Sequence, residues 1–172
     1  MNNLVVLPLI VPIITGILLV FLREQIQLQR IICLVTTVFM TFVSVVLLQH
    51  VHTDGIIRLD FSGWAPPFGI LFVGDSFSLL LVLTSSIVTA ICLIYAFSTI
   101  GHSLERMFFY PFVMFLIAGV NGSFLTGDIF NLFVCFEVML LASYALITLG
   151  GEKVQLLLMV QMMFFLLLLQ VQ

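Results

Sequence analysis

Long apolar runs separated by short polar joints make up the whole chain. The runs are Leu4–Leu22, Ile31–Leu48, Ser76–Ser98, Phe108–Leu125, Ile129–Leu149 and Val154–Val171. At ~1.5 Å per helical residue each is long enough to cross a hydrocarbon core of roughly 30 Å. The joints "REQIQLQR", "GHSLERM", "TGD" and "GGEK" are brief, so successive spans must run antiparallel in a compact bundle. One joint is long, from Gln49 to Asp75. Within it "GIIRLDF" alternates in polarity, "SGWAPP" is rich in turn formers and "FGILFVGD" turns apolar again. That pattern predicts a short β-hairpin over residues 54–75, lying on the outer face. Trp64 reads as an interfacial anchor, and His50 and His52, beside Asp54 at the hairpin root, read as solvated side chains.

Composition fixes the class. Of 172 residues, 63% are hydrophobic and 8% charged, with a mean hydropathy of +1.35. So few charges cannot cover a soluble domain, so the fold is an all-α polytopic membrane protein of five to six transmembrane helices with an extracytoplasmic hairpin. The first run is interrupted by Pro8 and Pro12, and neither a basic residue before it nor a small-x-small site after it marks a cleaved leader; it reads as a retained span. The formal charge of −3 says nothing about nucleic acid, and no basic cluster points to it, so no nucleic-acid partner is expected. Cys33, Cys92 and Cys135 fall inside apolar runs and read as small buried hydrophobes.

Basic residues set the orientation. Arg23, Arg30, Arg106 and Lys153 follow odd-numbered spans, and Arg58 alone stands on the other side. The positive-inside rule puts those odd joints in the cytoplasm and the N-terminus outside. The end of the chain, residues 156–172, uses only Leu, Met, Val, Gln and Phe. Its low complexity reads as a truncated or non-native tail, and the organised part is residues 1–155.

Most acids sit in joints or at span ends. Asp75 and Asp128 precede spans three and five, where a carboxylate caps the first amides; an entrance acid on an ion path is the other reading. Asn131 follows Asp128 one turn deeper. Glu137 is different, because it lies ~12 Å into the fifth span, close to the midplane. A charge at that depth costs at least ~2.5–3.5 kcal/mol on insertion scales, and such residues mark proton or ion pathways. An interhelical hydrogen bond is the structural alternative. On a helical wheel Tyr144 and Thr148 each lie ~20° from Glu137, giving a polar stripe that lines a hydrated half-channel or forms a packing seam. The stripe is flanked by Phe130, Phe133, Val134, Leu140 and Leu141. No Lys, Arg or His occurs within the six runs, so a cationic partner for Glu137 is expected beyond this chain. The hydroxyls of span three, and Asn121 with Gly119 and Gly122, read as packing devices. No metal-ligand spacing, phosphate loop or soluble catalytic set occurs, so neither a cofactor nor an enzyme is indicated.

The segment "GDIFNLFVCFEVMLLASYALITLGGEK", with "GWAPPFGILFVGDSFSLLLVL", resembles the N-terminal part of the D-type subunit of Mrp-type Na⁺/H⁺ antiporters. The wider family is the proton-conducting antiporter-like subunits, which includes membrane subunits of respiratory complex I. Asp128-x-Phe130-Asn131-Leu132-Phe133 with Glu137 carries the resemblance to that wider family, and Pro66-Pro67-Phe68-Gly69 the D-type branch. The resemblance implies a bundle of about fourteen helices containing inverted repeats with broken helices near a midplane site. It implies Glu137 as the proton-binding acid, paired with a lysine on a later helix. It further implies the other subunits of a hetero-oligomeric complex as partners, H⁺ and Na⁺ as cargo, and a bacterial plasma membrane as the location. A proton-pumping subunit of a complex I or hydrogenase-type redox complex is the alternative in the same family, and a non-transporting structural fragment is the other.

Overall fold

A computed structural model describes residues 2–60 and 69–149, with Leu157 and Val160. Trp64, Pro66, Pro67, Phe68, Lys153 and, apart from Leu157 and Val160, the sixth run and the tail lie outside the described residues. A 3-10 turn, Asn2–Val6, leads into α1 (Leu7–Phe21). Then come α2 (Ile26–Asp54), β1 (Ile57–Asp60), β2 (Leu71–Gly74), α3 (Ser76–Thr99), the single-turn α4 (His102–Glu105), α5 (Phe109–Leu125) and α6 (Ile129–Thr148). The first segment, α2, α3 and α6 are long and apolar enough to cross a membrane, and α5 is a shorter apolar helix of 17 residues. The strands pair antiparallel with Ile57 opposite Gly74 and Asp60 opposite Leu71, as the alternation in the long joint predicts.

The second helix is longer than its apolar run. It has 29 residues, or ~43 Å, more than a ~30 Å core requires. The glutamines of "REQIQLQR" from Gln27 on are therefore helix, not joint. Gln29 is buried, and its amide nitrogen donates to the carbonyls of Leu19 (3.2 Å), in the last turn of α1, and Leu22 (2.9 Å), the residue that ends it and that also accepts from Gln25 N. At the far end His50, His52 and Asp54 belong to the last turns of α2 rather than to the hairpin. His50 Nδ1 stands 2.9 Å from Asp54 Oδ2, one turn on. Arg30 also lies inside this helix, in its second turn, just before the apolar run.

The fifth helix is the centre of the bundle, with α1, α3 and α6 all packed against it. Gly119 makes the α6 contact possible, since a Cβ there would stand 2.8 Å from the Cys135 carbonyl oxygen and from the Met139 nitrogen. Gly122 is as tightly placed, 2.6 Å from Cys135 Sγ by the same measure. Between them Asn121 is fully buried. Pro12, inside α1, has no N–H to give the carbonyl four residues back, and Asn121 supplies the donor: its Nδ2 reaches Pro8 O at 3.2 Å. Its Oδ1 accepts from Ser85 of α3 at 2.7 Å. One side chain thus joins three helices, and the small-residue pattern around Asn121 is close helix approach as expected.

The other hydroxyls of α3 mostly serve their own helix. Thr84, Ser86 and Thr89 donate to carbonyls three or four residues back. Cys33 and Cys135 are buried, whereas Cys92 faces outward from α3.

Two ends result. At one, the N-terminal turn packs on both strands, Phe72 bridges Thr126, and Gly127 N donates to Leu71 O at 2.8 Å. A core of Val5, Leu47, Val51, Ile57, Phe72 and Leu125 fills it. At the other end Arg23, Arg30 and Arg106 gather around Leu19, Leu93 and Tyr110.

Candidate functional site: the α6 stripe and a buried carboxylate

The sixth helix begins at a built cap. The Asp128 carboxylate accepts from the amides of Phe130 (3.3 Å) and Asn131 (3.2 Å), and Asn131 Nδ2 donates to Thr126 Oγ1 at 2.9 Å. The capping role expected of Asp128 is what the geometry shows. Asp75 does the same for α3, exchanging bonds with Ser78 in a reciprocal box. The Ser78 hydroxyl first, and its backbone amide second, hold the Asp75 carboxyl below its usual range.

Two faces of α6 then separate. Asn131, Cys135 and Ala142 are its buried residues, and they form the seam on α5. At ~100° per residue, Glu137, Tyr144 and Thr148 stand within roughly 40° of the direction opposite Cys135. All three are half-buried. The polar stripe therefore does not make the α5 seam. Thr148 Oγ1 donates back to Ala145 O at 2.8 Å, leaving its oxygen able to accept. Phe133, Val134 and Leu141 beside the stripe are exposed. Glu137 lies eight residues from the start of α6, ~12 Å along the axis. Of the candidate pathway residues, the structure groups Tyr144 and Thr148 with Glu137. It assigns Asp128 to the cap and turns Asn131 into the α5 seam.

A second carboxylate is not apparent from the sequence pattern. Glu105, in the joint "GHSLERM", is 1% exposed. Its Oε1 accepts from Arg30 Nε at 2.9 Å, Arg30 Nη2 at 2.6 Å and Tyr110 Oη at 2.5 Å. Its Oε2 faces Nδ1 of the exposed His102 at 3.2 Å. The Arg30 guanidinium also lies over the Phe97 ring, 5.6 Å from its centroid. Residues from α2, α3, α4 and α5 thus meet at one ion pair. The signal for it is the brevity of the joint: so few residues between two spans must lie against helix ends rather than in water. Among the described residues no group of three His, Cys, Asp or Glu side chains could hold a metal ion.

Four helices long and apolar enough to span a bilayer, packed around α5, define a multi-pass membrane protein. No family model matches the sequence. Relatives do. Over 156 residues the chain is 51% identical to the D-type subunit of the Na⁺/H⁺ antiporter of Alkalihalophilus pseudofirmus and 46% identical to that of Bacillus subtilis. Both matches cover 91% of this chain and 32% of the relative, so it spans about a third of their length. In the Mrp complex from Dietzia sp. DQ12-45-1b, one chain superposes with a TM-score of 0.78 at 32% identity, over 86% of this chain and 27% of that one. An archaeal membrane-bound sulfane sulfur reductase superposes at 0.81 with 22% identity, over 94% of this chain and 33% of that one, a likeness of fold. Over the matched residues the chain belongs with the D-type subunits of Na⁺/H⁺ antiporters.

Proposed function

We propose that the chain is part of the ion-translocating subunit of a multi-subunit Na⁺/H⁺ antiporter, with Glu137 as its proton-binding acid. The observation that carries this reading is the family match over a segment whose mid-span acid lies on the face opposite the α5 seam. An acid there can exchange protons with groups that approach from beyond α6, and Tyr144 and Thr148 extend the polar line along the helix. Na⁺ and H⁺ are the cargo and the remaining subunits of the complex are the partners. The chain is a secondary-transporter subunit and not an enzyme. Residues 1–155 form the organised segment, with the hairpin outside and the arginine end in the cytoplasm.

Transport by the complete subunit in its complex tests the site. Everted membrane vesicles energised by respiration should show Na⁺-dependent proton movement that Glu137→Gln abolishes while the complex still assembles. Antiport retained by an assembled Glu137→Gln complex removes Glu137 from the mechanism. A side-specific label on a cysteine introduced at Asn3 tests the orientation.

A further inference from the structure

The arginine end holds two guanidiniums that no carboxylate pairs with among the described residues. Arg23 and Arg106, 83 residues apart, meet where the α1–α2 turn touches the α4–α5 turn. Arg23 is fixed twice: its Nε donates to Arg106 O at 3.3 Å, and its guanidinium lies over Phe108, 4.8 Å from the ring centroid. Those contacts use one N–H and one face, so both Nη groups stay available. Neither arginine pairs with a carboxylate among the described residues, whereas Arg30 is spent on Glu105. Between the two lies a cavity of about 560 Å³ lined, among the described residues, by Arg23, Glu24 and Arg106.

A second groove of about 640 Å³ shares Glu24 and Arg106 with it and continues over Ile26, Leu28 and Ile31. From there the outward face of α2 runs on through Val35 and Val38, both exposed. A charged notch therefore opens directly onto an apolar strip along a spanning helix. We propose that this notch binds the headgroup of an anionic phospholipid, with the acyl chain laid on Ile31 and Val35. The phosphate suits the free Nη donors of Arg23 and the Arg106 side chain. Glu24, at the rim, accepts from a headgroup hydroxyl and disfavours a second phosphate. A free phosphate would use the charge but has no need of the apolar strip, and a choline headgroup brings a cation against two arginines.

The test uses the 172-residue chain in neutral-detergent micelles, with phosphatidylglycerol, phosphatidylcholine and inorganic phosphate as probes. Retained lipid is read by native mass spectrometry and stability by the unfolding midpoint. Phosphatidylglycerol should remain bound and raise the midpoint; the other two should do neither. Arg23→Gln and Arg106→Gln should each weaken apparent affinity about five- to tenfold, while Arg58→Gln at the hairpin end changes nothing. Glu24→Gln keeps an acceptor but removes the opposing charge, so it should tighten binding; this gain carries the test if an arginine variant does not fold. Equal binding of phosphatidylcholine, full reproduction of the effect by phosphate, or unaltered affinity in both arginine variants overturns the proposal.

Discussion

Replacing Arg30 by glutamine should damage this protein more than replacing Glu105, although the two form one ion pair. The Glu105 side chain is 0% exposed and that of Arg30 19% exposed. Removing Arg30 strips two of the three hydrogen bonds from Oε1 and leaves a buried carboxylate with the Tyr110 hydroxyl and the solvent-facing His102. Breaking a buried pair from one side costs about 3–5 kcal/mol, because the remaining charge is uncompensated. Glu105→Gln instead keeps an acceptor for Arg30, whose long stem can move the guanidinium to water; the expected cost is about 1–2 kcal/mol. The double variant Arg30→Met/Glu105→Gln leaves no orphan charge and should be more stable than Arg30→Gln alone. Unfolding in mixed micelles of increasing dodecyl sulfate content, followed by circular dichroism, measures all three. An Arg30→Gln variant within about 0.5 kcal/mol of wild type, or no worse than Glu105→Gln, refutes the reasoning.

Other outcomes follow from the same contacts. Asn121→Ala orphans the Pro8 carbonyl and removes the bond to Ser85, whose hydroxyl keeps the Val82 carbonyl, so the same unfolding assay should report a loss of about 1–3 kcal/mol. Gly119→Ala places a methyl against the α6 backbone and should cost about 1–3 kcal/mol; in the complete subunit it should also lower antiport, since Met139 sits two residues from Glu137. Asp75→Ala should cost about 1 kcal/mol at neutral pH. Its folded carboxyl titrates below the unfolded value of about 3.9, so the charge-dependent part of that stabilisation is present above pH ~4 and is lost as pH falls through the folded value. A wild-type-minus-Asp75→Ala difference that stays constant from pH 7 to pH 2 contradicts this assignment.

What the sequence showed was decided by local pattern. The first five apolar runs match helices because lipid demands that each spanning segment satisfy its own backbone, whatever its neighbours are. Asp75 and Asp128 could be read as caps because a cap acts within its own first turn. The ends of α2 could not: the polar Gln27 and Gln29 look like loop until the α1 carbonyls that Gln29 serves are in place. Distance along the chain hid the rest. Arg30 and Glu105 are 75 residues apart, and Asn121 and Pro8 are 113 apart. Glu137 stood out because its depth alone sets its cost, while which face of α6 packs needed the α5 seam to be seen.

Pro12 has a consequence for biogenesis. Until α5 arrives, the Pro8 carbonyl in α1 has no donor, and the Asn121 amide has no acceptor until α1 is beside it. Each helix alone carries into hydrocarbon a polar group that only the other can satisfy. Release of α1 into the bilayer is therefore better matched to the arrival of α5 than to its own synthesis. Chains ending at Leu104 and released from the ribosome should leave α1 more easily extracted than released chains ending at Leu125, which carry all of α5. The proline sets a waiting step into the order in which the bundle is built.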